Sequence, residues 1–143
     1  MPVDYSGQNL RGRNFSGQDL IGANLWGADL SYANLRGADL RGADLTEADL
    51  SYADLTEANL TNANLTLANL SYANLSLANL INANLTRADF TDANLTLANL
   101  TSANLTRADF TDANLTLAFT RRGISRADME GATGLDTVRG LID

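Results

Sequence analysis

A triplet of Ala, then Asp or Asn, then Leu or Phe returns every five residues across residues 23–115, in nineteen consecutive units without a break. A period of five excludes both common regular structures. On an α-helix five residues turn through roughly 500°, so successive Leu would land about 140° apart and form no stripe. A long strand needs strict alternation, which an odd period breaks in every cycle. What survives is local. Ala and Leu stand two residues apart, so both point to one side of a very short strand, and the Asp or Asn between them points away. The remaining two residues turn a corner. Each pentad is then one side and one corner of a coil.

A second period sets the number of sides. Ser-Tyr-Ala begins at Ser31, Ser51 and Ser71, and residues 83–98 are identical to residues 103–118. Both spacings are twenty residues, or four pentads. A four-sided coil places residue i on residue i+20, so like stacks on like, and the chain suffices for about six coils rising roughly 4.8 Å each. Each regular coil buries four Leu or Phe and four Ala, the small Ala filling gaps that the large residues leave in a narrow interior. One buried Leu contributes roughly 1.5–3 kcal/mol, so such a core needs no other support. Inside the array Phe takes the Leu slot only at Phe90 and Phe110, which stack directly, as do Thr91 and Thr111.

This array resembles the pentapeptide-repeat family. The opening Asp4-Tyr5-Ser6-Gly7-Gln8-Asn9-Leu10 and the Gly-Leu-Asp and Gly-Leu-Ile-Asp of the ending are most similar to small cyanobacterial members. The resemblance covers nearly the whole chain. It implies an all-β fold, a right-handed quadrilateral β-helix, and is nearly silent on function.

The ends depart from the pattern within what reads as one domain, 1–143. Residues 1–22 form an N-terminal capping coil, because the inner Ala slot there holds Val3, Gln8, Arg13 and Gln18, and polar residues suit that slot only where one side of the layer meets water. Residues 23–119 are regular. At Ala118-Phe119 the intervening Asp or Asn is missing, so Phe119 arrives one residue early. Residues 120–134 make an irregular last coil in which the pattern resumes at Ile124 and more fully at Ala127-Asp128-Met129. After Gly131 and Gly134, the spacing of Leu135, Val138 and Ile142 predicts a short capping helix over 135–143.

Composition removes whole classes of chemistry. The chain has no His, no Cys and no Lys, all ten basic residues being Arg. The commonest general base, thiolate chemistry and amine nucleophiles are thereby excluded. A tightly filled solenoid offers no obvious pocket, so the expectation is a protein that is not an enzyme, with no catalytic residue, cofactor or metal site. The Gly-Gly-x-Gly-x-Asp pattern of calcium-binding β-rolls is absent. A net charge of −7 disfavours direct binding to nucleic acid and to anionic membranes. The start Met1-Pro2-Val3-Asp4 has no basic and apolar leader, and no apolar run reaches the length of a membrane span, which makes the cytoplasm the expected compartment.

What remains to carry function is the surface. Early corners hold Gly, as at Gly7, Gly12 and Gly17, whereas later ones are bulky. Tyr32, Tyr52 and Tyr72 form one corner column, and Leu77, Leu97 and Leu117 form the next. Both flank the face whose inward residues run from Phe15 to Leu115. Outward Leu on successive coils suits a contact face for a protein partner or a second copy, although such ladders also shield corners in their own right. The preceding face carries Asp29, Asp49, Asp89 and Asp109, with Asp92 and Asp112 at its corner. A carboxylate column could imitate DNA phosphates. Against that, Asn9 and Asn69 interrupt it, and Arg87 and Arg107 stand two residues before Asp89 and Asp109. The primary expectation is a rigid, non-catalytic interaction module for an unidentified protein or for itself. The alternative, which the family resemblance suggests, is an acidic DNA mimic that regulates DNA gyrase. The chain departs from such members in having mostly Leu at core centres and no loop inserted in the array.

Overall fold

A computed structural model describes residues 1–120, 124–130, 133 and 135–137. Parallel backbone bridges join Asp4 to Asn24, Asn9 to Asp29, Asn14 to Asn34 and Asp19 to Asp39, and continue every five residues as far as Asn99 and Phe119. The chain is therefore a coil of twenty residues with four bridged positions per turn, as the second sequence period requires. We denote each face by its inward residue in the first coil: the Tyr5, Leu10, Phe15 and Leu20 faces.

One pentad shows why these residues adopt this shape. In residues 53–57, Ala53 N–H donates to Leu50 C=O at 3.0 Å and closes the preceding corner. Asp54 N–H reaches up to Ala33 C=O at 2.9 Å, while Leu55 and Glu57 reach down to Asn74 and Ser76 C=O at 2.7 and 3.0 Å. The fifth amide, on Thr56, donates to Asp54 Oδ1 at 3.0 Å. All five N–H groups are satisfied, four by backbone and one by the Asp side chain. This is the physical reason for Asp or Asn at every outward position: a side-chain oxygen two residues back captures the one amide the ladder cannot use. A Ser or Thr hydroxyl often reinforces it, as where Thr56 Oγ1 donates to the same oxygen at 2.6 Å.

The second corner residue has φ near +60° throughout, at seven glycines and at sixteen other residues from Tyr32 to Leu117. Positive φ at this position, with an i to i+3 backbone bond, is the type II turn pattern. Gly adopts it freely, and Asn and Asp tolerate it best among the rest.

The core is the continuous stack of inward side chains. From Ala23 to Leu100 every inward Ala and Leu is almost wholly buried. Phe90 and Phe110 stack with ring centroids 4.9 Å apart and planes 5° from parallel. The first coil is different. Gln8, Arg13 and Gln18 are exposed, yet their carbonyls accept from Asp29, Asn34 and Asp39 N–H at 2.8–2.9 Å. That layer continues the ladder below while presenting polar groups to water.

The C-terminal end corrects two sequence expectations. Phe119 does not enter the interior one residue early. It holds the outward slot opposite Asn99, with its N–H and C=O both 2.7 Å from their partners on Ala98 and Leu100, and its side chain is exposed. Thr120 takes the next inward slot and is fully buried. Keeping the backbone in register outweighs exposing one ring. Nor does Ala127-Asp128-Met129 restore the repeat. Arg126–Met129 is a 3-10 helix, capped reciprocally by Ser125 and Asp128, with Ala127 exposed and only Met129 buried against the core. The register is one residue short by this stage, since Thr133 bridges to Asn114 at nineteen residues and not twenty. Of the expected helix over 135–143, Leu135–Thr137 is a three-residue 3-10 turn. The remainder, with Val138 and Ile142, and the glycines Gly131 and Gly134 lie outside the described residues. Among the described residues no helix is long and apolar enough to cross a membrane.

Candidate interaction surface

The corner between the Leu10 and Phe15 faces carries the tyrosine column. Tyr32 and Tyr52 stack at 4.8 Å and 2°, and Tyr52 and Tyr72 at 4.9 Å and 3°. These separations match the coil rise, so the backbone ladder itself imposes the stacking. The column is capped at its upper end. Arg11 lies with Cζ 4.4 Å above the Tyr32 ring and donates from Nη1 to Ser31 Oγ at 3.0 Å. Below, the Asp92 side chain, as the acceptor nearest the Tyr72 hydroxyl and by its charge, raises the Tyr72 pKa above its ordinary value. Both faces of Tyr52 are covered, and the column offers water ring edges and hydroxyls. The part played by Arg11 was missed from sequence. Its signal was a basic residue twenty-one positions before an aromatic one.

Across the Phe15 face stands the leucine column. Leu77, Leu97 and Leu117 are 50%, 48% and 41% exposed, so about half of each side chain is in water on three successive coils. Between the two columns lie the outward side chains of Asp54, Asn74, Asn94 and Asn114, whose Oδ1 atoms are engaged by their own corners. The two columns share the fourth coil, where Tyr72 and Leu77 flank Asn74; opposite Tyr32 and Tyr52 stand Gly37 and Glu57, and opposite Leu97 and Leu117 stand Asp92 and Asp112.

The acidic residues of the Leu10 face also turn back on their own backbone. Oδ1 of Asp29, Asp49, Asp89 and Asp109 accepts the N–H of Ser31, Ser51, Thr91 and Thr111 at 2.9–3.0 Å. Asn69 does the same for Ser71 in this column. Asp and Asn are thus equivalent for the turn, and the charge is additional. Among the described residues the ion pairs are Arg36 with Glu57, Arg41 with Asp39 and Arg126 with Asp136. Arg87 and Arg107 make none with Asp89 and Asp109.

Hydroxyl and amide donors hold the Asp29 and Asp109 carboxyls below their ordinary pKa of 3.8, the Ser31 and Thr111 hydroxyls contributing most. A carboxylate favoured by the fold adds stability that is complete above the unfolded pKa and disappears as pH falls through the lower folded one. Both groups are largely solvated, which makes the contribution small. Asn fills the same slot on other coils and does not titrate. The midpoint of thermal unfolding, followed by circular dichroism, is therefore expected to fall modestly as pH drops below about 4 and through the lowered folded values, while the rod stays folded.

Comparison with known proteins agrees with this geometry. The family model for pentapeptide repeats, in eight copies, matches residues 9–47, 43–80 and 78–116. The chain belongs to the pentapeptide-repeat family. Among solved structures it is similar to HetL, a pentapeptide repeat protein involved in heterocyst differentiation regulation from the cyanobacterium Nostoc sp. strain PCC 7120. The identity is 33%, the match covers 94% of this chain and 71% of HetL, and the TM-score is 0.56. A pentapeptide repeat protein of the Arabidopsis thaliana thylakoid lumen is 41% identical over 76% of this chain and 69% of its own, with a TM-score of 0.44. QnrB1, a plasmid-mediated fluoroquinolone resistance protein, shares the fold at 16% identity, over 96% of this chain and 81% of QnrB1, with a TM-score of 0.51. No match was found among curated protein sequences.

Proposed function

We propose that this chain is a right-handed quadrilateral β-helix working in the cytoplasm as a non-catalytic interaction module, with the Phe15 face as its contact surface, flanked by the tyrosine column on coils two to four and the leucine column on coils four to six. The observation that carries this reading is the leucine column, three aliphatic side chains half in water at one corner. Corner residues are free to be polar, as Asn62 and Asn82 are on the next corner, so a solvated role would not select Leu three times. The tyrosine column, stacked throughout and capped by Arg11, supplies a stiff flank with hydrogen-bonding tips.

The DNA-mimic alternative draws less support. One column with an acid at most once per roughly 4.8 Å rise is sparse beside duplex DNA, with a charge per about 1.7 Å of axis. Half of each carboxylate is also committed to its own turn. QnrB1 at 16% identity speaks for the fold alone.

The test is a triple variant, Leu77→Asn, Leu97→Asn and Leu117→Asn, chosen because Asn tolerates the corner backbone. Sedimentation and affinity capture compare it with the parent. Self-association or retention of a defined partner by the parent, weakened at least tenfold in the variant, is the expected result. Equal behaviour of the two proteins would remove the leucine column from the reading. Inhibition of gyrase supercoiling that is lost on neutralising Asp49 and Asp89 would favour the alternative.

A further inference from the structure

The backbone ladder ends unevenly at the C-terminal end of the rod. On the Phe15 face it is closed, with Leu115 N–H on Thr133 C=O at 3.0 Å, Thr133 N–H on Ala113 C=O at 2.8 Å and Leu117 N–H on Thr137 Oγ1 at 2.7 Å. On the Leu10 face it is not. One coil higher, Phe90 and Asp92 N–H donate to Asp109 and Thr111 C=O at 2.7 and 3.0 Å, and Ala88 C=O accepts from Asp109 N–H at 2.9 Å. The corresponding groups of the last coil, Phe110 N–H, Asp112 N–H and Ala108 C=O, have no hydrogen-bond partner among the described residues. The segment that would have paired with them is instead the 3-10 helix Arg126–Met129, whose Met129 packs into the core. It stands off from the edge and leaves an open cleft of about 490 Å³, lined by Ala108, Asp109, Phe110, Thr111, Ala127, Asp128 and Glu130.

We propose that this edge, residues 108–112, receives an extended basic peptide segment of a partner protein as one further parallel strand. An unpaired edge is a template for strand addition, and the ladder above fixes the register. One residue of the peptide donates its N–H to Ala108 C=O and accepts from Phe110 N–H. The residue two further on accepts from Asp112 N–H. The first of these points outward beside Asp109, and the residue between them faces the edge of Phe110, where Phe110 and Met129 already close the core and admit only a small residue such as Gly or Ala. Charge selects the side chains. Asp109, Asp128 and Glu130 line the cleft and Asp112 adjoins it, while Arg126 is paired with Asp136 at 3.1 Å and Arg107 belongs to the preceding corner. An outward Arg or Lys is complementary to this rim and an acidic residue is repelled. The site lies on another face from the leucine column and does not depend on its role.

The experiment uses the full chain and a labelled probe peptide, acetyl-Gly-Ala-Arg-Ala-Ser-Arg-Gly-amide, with amide hydrogen exchange read by NMR. In the free protein the Phe110 and Asp112 amides should exchange at least a hundredfold faster than those of Phe90 and Asp92. Saturating probe should slow both by tenfold or more. A probe methylated on the nitrogen of its first Arg should lose binding, since charge is kept and the bond to Ala108 C=O is removed. The variant Asp109→Asn with Glu130→Gln keeps the corner acceptor, as Asn69 does, and should bind at least fivefold more weakly. Free amides already as protected as those of Phe90 and Asp92 would overturn the proposal, as would equal binding of the methylated probe. Protection that rises with protein concentration without any probe would overturn it in favour of a second copy stacking end to end.

Discussion

Replacing Phe90 by Ala is expected to destabilise the rod by about 3–5 kcal/mol, whereas Phe90→Leu should cost less than about 1.5 kcal/mol. The two variants differ in what they leave behind. Phe90 is fully buried and its ring lies on that of Phe110, so Ala opens a void between coils held apart by backbone bonds and unable to collapse. Leu already fills this column at Leu10, Leu30, Leu50 and Leu70. Urea unfolding followed both by circular dichroism and by Trp26 fluorescence checks the prediction. Each coil touches only its neighbours, so a weakened fifth coil should separate the two transitions, the N-terminal Trp26 reporting the later one. A loss below about 1 kcal/mol for the Ala variant would mean that the interior closes around the void.

Leu97→Val is expected to cost about 1–2 kcal/mol, although it removes exposed apolar surface. Leu97 has φ +60°. A β-branched side chain fits that backbone badly, while Leu97→Asn should be neutral or better. Thermal unfolding of the two variants side by side separates backbone strain from lost contact. Equal midpoints would show that the corner relaxes to a different turn.

The second prediction rests on a regularity that was present in the sequence. Thr and Ile occupy the first corner position again and again, at Ile21, Thr46, Thr61, Ile81 and Thr106 among others, and never the second. The period of five, the period of twenty and the inward pairing of Ala with Leu were equally legible, because each follows from a repeated local choice. What sequence did not show has a different physical origin. The slot taken by Phe119 is set by two backbone bonds to the coil above, and nothing in the composition of residues 118–120 announces that these outweigh a buried ring. Ala127-Asp128-Met129 has the repeat's letters, but Ser125 and Asp128 cap a 3-10 helix there instead. The candidate surface was half legible. The columns follow from i and i+20, whereas the capping of Tyr32 by Arg11 and the commitment of each Asp Oδ1 to its own turn are side-chain orientations, which periodicity does not encode.

The bridging of residue i to residue i+20 makes length and phase separate quantities in this chain. Four added pentads would lengthen the rod by one rise and return every later residue to its original face. One added pentad would leave the interior unchanged, since any Ala and Leu replace any others, but would turn everything downstream by a quarter. Placed between Tyr52 and Tyr72, it would take Tyr72 out of the column of Tyr32 and Tyr52 and carry Leu77, Leu97 and Leu117 together to the next corner. The core is blind to such a step and the surface is not. Insertions in multiples of five are thus a way to re-dial which side chains share a face without repaying any cost in folding, and selection on the outer columns alone holds the present setting.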